Sequence, residues 1–332
     1  MTKPMLHPDE VLFAGHRPIP NLSVCEHFAG SRKLIDKAMQ LQAELGPVFD
    51  VTCDCEDGAK VGEEREHASM VSEAINSPRN LFGKLGVRIH DPSHPLWRQD
   101  VDLVVGAAAE RIAYVTIPKA TGSEQARTVI DYIQAVAASA GAARSIPIHV
   151  LIETHGALEE VTAIARLPHV EVLDFGQMDF VSDHAGAIPA SAMKSPGQFE
   201  HPLLVRAKAN LVAAALAHGI VPAHNVCMNL SDEAVITSDA RRAHVEFGFQ
   251  RMWSIHPFQI EPIVAAMRPA NEELVRAEQI LPAAQEADWG PIRFDGELHD
   301  RATYRYFWSI LRKAHATGMP LDAGIEQRFF AA

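Results

Sequence analysis

The chain of 332 residues contains no apolar run approaching the roughly 18–20 residues that a membrane-spanning helix needs. Its opening stretch, MTKPMLHPDEVLF, lacks the apolar segment of a secretory signal. Basic residues are in the minority, with 30 Lys and Arg against 42 Asp and Glu, a formal charge of −12. That sign disfavours a nucleic-acid or anionic-membrane partner, because phosphate groups call for a basic footprint. Cysteine is scarce: the 4 present (Cys25, Cys53, Cys55, Cys227) include no CxxC pair, so neither a disulfide framework nor a thiolate zinc site is expected. Low-complexity tracts, fixed-period repeats, a nucleophile-elbow pattern and a GxGxxG turn after the first apolar run are also missing. With 47% hydrophobic and 22% charged residues the chain is not disordered. A globular enzyme of the cytoplasm is the expectation left standing.

What is present is an alternation of apolar runs and helical stretches. The runs are Asn21–Cys25, Val48–Cys53, Lys84–Ile89, Ile112–Ile117, Ile148–Ile152, Val170–Phe175, Ile220–Met228 and Arg251–Ile255. Amphipathic stretches follow most of them. In one, Ala126, Val129, Ile130, Ile133 and Ala137 recur at helical spacing, Thr121 or Ser123 is placed to cap the start, and Gly141 to end it. Eight strand–helix units predict a (β/α)8 TIM barrel over residues 1–269. The strands read as continuous apolar runs, as parallel strands covered on both faces do. Beyond it, 270–286 and 301–317 read as helices and 287–300 as a loop, which together make a C-terminal helical extension, 270–332.

In such a barrel the chemistry lies at the C-terminal strand ends. The runs open onto Asp54, Glu56 and Asp57; Arg88 and His90; Lys119; Glu153 and His155; Asp179; Asn225; and His256. Glu153 and Asp179 come from adjacent strands. Two carboxylates with waters suit Mg2+, and His155 would instead offer a nitrogen to Zn2+; capping is the plainer use of either acid. Arg88 within an apolar strand needs an anion, either an internal partner among Asp54, Glu56 and Asp57 or a substrate carboxylate or enolate oxygen. Lys119 is open to a carboxylate pairing or to Schiff-base chemistry. Cys53 and Cys55 read as barrel packing.

Six short motifs then stand in order: Asp54-Cys-Glu-Asp-Gly-Ala59, Arg88-Ile-His90, Ile117-Pro-Lys119, Ile152-Glu-Thr154, Phe175-Gly-Gln-Met-Asp179 and Ser254-Ile-His-Pro-Phe-Gln259. Together they resemble the HpcH/HpaI aldolase/citrate lyase β-subunit family, from about residue 48 to 265. Cys55 stands where that pattern has Leu, and His90 where it has Asn. The N-terminal stretch that helps bind the CoA carrier has only loose counterparts, Arg17–Ser23 and Ser31-Arg32-Lys33. The resemblance implies Mg2+ (or Mn2+) held by Glu153 and Asp179, and a C–C lyase acting on malyl-, citramalyl- or citryl-CoA. It implies that Arg88 contacts the substrate and that Asp300 is catalytic; from the strand ends, Arg88, Asp54 and Glu56 are further catalytic candidates, and Glu153, Lys119 and His256 further candidates for substrate contact. It also implies a homo-oligomer, a trimer or hexamer, in which the extension brings Asp300 to a neighbour's barrel. An aldolase acting on free 2-keto-hydroxy acids and a non-catalytic CoA-ester-binding barrel are the other two functions considered.

Overall fold

The computed structural model describes residues 6–13, 18–59 and 61–331. Eight parallel strands close into a barrel: β1 (Cys25–Ala29), β2 (Phe49–Asp54), β3 (Leu85–Arg88), β4 (Val115–Ile117), β5 (Ile148–Ile152), β6 (Val170–Phe175), β7 (Val221–His224) and β8 (Arg251–Ser254). Closure is made by β1 against β8, Cys25 pairing with Met252. The first strand is shifted four positions downstream relative to the apolar run Asn21–Cys25, beginning at its last residue. Its sequence is CEHFA, and Glu26 and His27 disguise a strand that is buried throughout.

Alternation sorts each strand into two faces. On β2, Val51 and Cys53 point outward into the apolar layer beneath the helices, with Ile35, Met39, Val71 and Ile75. Asp50, Thr52 and Asp54 point inward. Cys55 continues the outward set and is likewise packed in that layer. The surrounding helices include Arg32–Leu45, capped by Ser31 and ended by Gly46 at φ 83°, and Glu233–Phe247, capped by Asp232. The helix Ser123–Ser139 is capped from elsewhere in the chain. Its N-cap is Gly122, and the Glu160 carboxylate accepts from the Ser123 backbone N–H at 2.8 Å. Neither Thr121 nor Ser123 serves as the cap.

The segment after β6 forms the helix Gln177–Asp183 and two single 3-10 turns, Ala190–Met193 and Gly197–Phe199. Buried Gln198 fastens it. Its amide donates to Asp239 Oδ2 at 2.9 Å, its carbonyl oxygen accepts from Asn225 at 2.9 Å, and the fully buried Lys208 donates to its backbone carbonyl at 3.0 Å.

Residues 23–267 form this barrel unit. The described residues before 23 join 268–331 in a second unit. In the second unit the helices Asn271–Glu286, Arg301–Ala316 and Ala323–Phe329 pack around Leu12, Leu274, Ile280, Leu281, Trp289, Tyr304, Trp308 and Leu311. The stretch read as a loop contains a hairpin, β9 (Ile292–Phe294) and β10 (Glu297–His299). Its turn is Asp295-Gly296, both at positive φ (47° and 81°), the backbone that a two-residue hairpin turn requires. Among the described residues no helix is long and apolar enough to cross a membrane.

Candidate active site

The barrel mouth gathers the strand-end charges into one network. Arg88, the last residue of β3, donates from Nε and Nη2 to Asp54, the last residue of β2, at 2.8 and 2.6 Å. Asp54 also accepts the backbone N–H groups of Glu56 and Gly58, at 3.0 and 2.9 Å. Four donors thus occupy this one carboxylate. A side chain at position 58 would collide with it, which explains the glycine. Burial works to raise the Asp54 pKa, but Arg88 and the hydrogen bonds win and hold it below the ordinary carboxylate range. The Arg88 Nη1 lies 2.9 Å from Glu56 Oε2. Lys119 joins from the end of β4, its Nζ 2.7 Å from Glu56, 3.2 Å from Asp57 and 3.7 Å from Asp179. Both cations therefore take the internal carboxylate partners that their positions offer. Burial opposes charging of Lys119, but Glu56, Asp179 and Asp57 raise its pKa, so it holds its proton. A persistently protonated amine is unsuited to Schiff-base formation.

Glu153 follows β5 directly and is 2% exposed. Its Oε1 accepts the backbone N–H of Lys119 at 2.7 Å. Lys119 makes that contact from φ 47°, an uncommon backbone state for a side-chain-bearing residue and of the kind held at functional sites. Gly176 cradles the same carboxylate, since a Cβ there would strike it. Burial, and then the charge of Asp179, push the Glu153 pKa up to about 8. A buried carboxylate and a second one close by repel each other in the bare chain. A divalent cation bound by oxygen removes that repulsion, so this donor set fits Mg2+ or Mn2+. His155, the nitrogen candidate for zinc, is exposed and bonded to Asp183 through its backbone N–H and ring.

Three participants carry no strand-end signature. Phe28 of β1 lies under the Arg88 guanidinium, 5.3 Å from centroid to Cζ. It packs at 4.5 Å on Trp253 of β8. Asp100, from the short helix Trp97–Asp100, binds His90. Asp100 lies in a stretch with no regular periodicity, part of which is a π-helical turn, Val101–Val105. His256 is exposed and caps the turn Pro257–Gln259 through Nδ1. In the second unit Asp300 caps the helix Arg301–Ala316, accepting from Ala302 N–H at 2.9 Å. Arg32 is paired with Asp36 and Glu73 on the surface, and Arg17 lies outside the described residues.

Below the mouth the barrel interior is also polar. Arg251 of β8 reaches past β1 to Asp50 of β2 at 2.7 Å, and lies 3.3 Å from Glu26. His149 of β5 faces Glu26 at 3.6 Å and Asp174 at 4.0 Å. The Trp253 indole donates to Asp174 at 2.8 Å. Donor atoms of Glu26, His149 and Asp174 lie within 4.8 Å of one another, a spacing that a metal could span. However, Arg251 already approaches the same Glu26 oxygen. Burial opposes protonation of His149, but Glu26 overrides it and the pKa rises to about 9. The chain's own cations oppose the charge of this cluster, while Glu26 Oε2, Asp174 Oδ2 and both His149 ring nitrogens make no hydrogen bond among the described residues.

Residues 35–257 match the HpcH/HpaI aldolase/citrate lyase family. The chain belongs to that family. It is 26% identical over 317 residues to L-malyl-CoA/β-methylmalyl-CoA lyase of Rhodobacter capsulatus, covering 91% of this chain and 98% of that one. Among solved structures it is similar to a citrate lyase of Burkholderia xenovorans LB400, with 52% identity, a TM-score of 0.83 and coverage of 98% of this chain and 100% of that one. The CitE protein of Mycobacterium tuberculosis, solved with magnesium, acetoacetate and coenzyme A, has the same fold. It is 21% identical, with a TM-score of 0.65 and coverage of 89% and 98%. Aldolase/citrate lyase membership thus agrees with the six motifs and with the closed eight-stranded barrel.

Proposed function

We propose that this family member is a Mg2+-dependent carbon–carbon lyase. It cleaves, or in reverse forms, a β-hydroxy acyl-CoA such as malyl-, citramalyl- or citryl-CoA, with a 2-oxo acid and an acyl-CoA as products. The observation that carries the reading is the pairing of buried Glu153 with Asp179 beside Arg88 and Lys119, in a chain aligned over most of its length with a malyl-CoA lyase. Glu153 and Asp179 would hold the ion, and magnesium is what the structurally similar M. tuberculosis protein was solved with. When bound, the ion supplies Lewis acidity toward the substrate's carboxylate and hydroxyl oxygens.

Arg88 carries five N–H donors, of which Asp54 takes two, while Glu56 pairs with Nη1 as an ion at 2.9 Å without a hydrogen bond. The rest remain for a substrate carboxylate or the enolate oxygen that gains charge as the C–C bond breaks. Asp54, with its acceptor sites filled, positions Arg88, and Glu56 links Arg88 to Lys119. Lys119 offsets negative charge at the mouth, and its backbone fixes Glu153. His256, exposed past β8, is assigned to substrate binding. Asp300, delivered from a neighbouring copy in a trimer or hexamer, takes the hydroxyl proton. Four buried, unpaired cysteines suit the reducing cytoplasm.

The test is a Mg2+ assay over malyl-, citramalyl- and citryl-CoA with detection of the 2-oxo acid. Glu153→Gln and Asp179→Asn should each lower cleavage by about a thousandfold with unchanged circular dichroism. Full activity in either variant sinks the metal assignment. Cleavage of free hydroxy acids without a CoA requirement moves the protein to the aldolase class. Mixing inactive Asp300→Asn with inactive Arg88→Ala should restore part of the activity. No recovery would place each site within one chain.

A further inference from the structure

His90 stands two residues past the anchor of the site, and its contacts suit proton transfer. Ile89 is packed outward under the helices, so alternation puts Arg88 and His90 on the same, mouth-facing side. The His90 ring donates from Nδ1 to Asp100 Oδ2 at 2.6 Å, and its backbone N–H donates to the same oxygen at 2.9 Å. Asp100 is fully buried, whereas the His90 side chain keeps 11% of its surface exposed. With Nδ1 bound to a buried carboxylate, the tautomer and ring plane are fixed. Nε2 makes no hydrogen bond to any described residue. His94 stacks on the ring at 4.3 Å and 14°, and is itself held by the Leu96 N–H. The charged and titratable groups facing His90 are Asp100, Glu56, Glu64 and His94. Burial opposes its protonation, but Asp100, then Glu56 and Glu64, outweigh it and raise its pKa above that of a free imidazole. A carboxylate-oriented imidazole with one free nitrogen at a mouth is the arrangement of a general acid–base.

We propose that His90, oriented by Asp100, carries the proton that the acyl carbon gains on cleavage and loses on condensation. The proposal rests on the lyase reading above. In cleavage, the hydroxyl proton goes to the carboxylate base as the carbonyl forms. The electron pair of the breaking C–C bond passes to the acyl carbon as an enolate. That carbon takes the proton from Nε2, forming a C–H bond and leaving neutral imidazole. Imidazole and base then re-equilibrate through solvent, so protons balance over the turnover. The Asn of the family pattern at this position could make the Asp100 hydrogen bond but could not carry a proton.

The test compares wild type with His90→Asn, His90→Gln and Asp100→Asn in two readouts: cleavage of the active CoA ester, and exchange of solvent deuterium into the α-carbon of the acyl-CoA product. His90→Asn should lower kcat by about 10²–10⁴ with KM little changed. Exchange and the alkaline limb of the pH–rate profile should be lost with it. Asp100→Asn should lower both rates by less and move the alkaline limb to lower pH. A His90→Asn protein that cleaves and exchanges like wild type overturns the proposal while leaving the lyase reading intact. If neither His90 variant folds, unchanged exchange and an unmoved limb in Asp100→Asn overturn it as well. A wild-type protein inert toward every CoA ester overturns the lyase reading, and this proposal with it.

Discussion

The barrel holds two clusters of acids and cations, one above the other, and they are built to opposite ends. In the lower one the fully buried or nearly buried acids Glu26, Asp50 and Asp174 face Arg251, Lys84 and His149, three to three, with the part-exposed Glu171 at its edge. In the mouth Asp54, Glu56, Asp57, Glu153 and Asp179 face, among the described residues, only Arg88 and Lys119 as permanent cations. Residue types are the same and the setting is similar, yet only the upper cluster has an excess of negative charge and an opening. Chemistry at a barrel end follows from that imbalance, and the number of buried ionic groups alone does not distinguish the two. The layers are joined by contacts, Arg88 over Phe28, Phe28 on Trp253, and Trp253 bonded to Asp174.

Breaking the balanced cluster should cost the most stability. Arg251→Ala removes the buried guanidinium between Asp50 and Glu26, leaving only Lys84 beside Asp50 and His149 beside Glu26 among the described residues, and removal of one partner from a buried pair costs about 3–5 kcal/mol. Urea unfolding should show a loss of that size in the metal-free protein. A loss below about 1 kcal/mol would mean that water reaches the lower cluster and that the contrast with the mouth is false.

A second, smaller effect is pH-dependent. The folded pKa of His149, about 9, lies above the ordinary imidazole value of 6.5, so its contribution is complete below pH 6.5 and is lost as pH rises through 9. The span corresponds to at most about 3 kcal/mol. Asp174, raised to about 7 by burial and Glu26, runs in the same direction but is exhausted sooner. Thermal melts of wild type and His149→Gln should therefore converge between pH 6.5 and 9, with wild type the more stable at the acid end. A constant gap across that range would show that His149 is neutral in the fold.

These two layers also differ in how readable they were. Mouth residues follow apolar strands, so position alone put Asp54, Arg88, Lys119, Glu153 and Asp179 at one end of the barrel. The lower layer has no such signature, because its members sit inside strands and their partners lie as far as 201 positions away, as for Asp50 and Arg251. The same burial explains the misplaced first strand, in which Glu26 and His27 interrupt the apolar pattern for the sake of partners on other strands, Thr52 and Ser254. The hairpin at 292–299 was legible in principle, since Asp295-Gly296 is a strong two-residue turn signal. Its strands are three residues each and half-exposed, too short for alternation to register. Asp100 gave no warning, since its partner His90 is fixed by a bond between side chains on separate elements.

The smallest effect is the one that most sharply separates the layers. In the mouth a carboxylate removed should stabilise the bare fold, where in the lower cluster a charge removed destabilises it. Glu153→Gln keeps an oxygen for the Lys119 N–H but deletes the charge that burial and Asp179 disfavour. Active-site residues commonly trade stability for function in this way, and relief of about 1 kcal/mol is the expected scale. The metal-free variant should melt slightly above metal-free wild type near neutral pH. Added Mg2+ should then raise the melting temperature of wild type and leave the variant nearly unmoved, because only wild type retains the donor pair. A variant less stable than wild type in the absence of metal would show that Glu153 is held by the fold as a structural acid, and would place the mouth in the same class as the lower cluster.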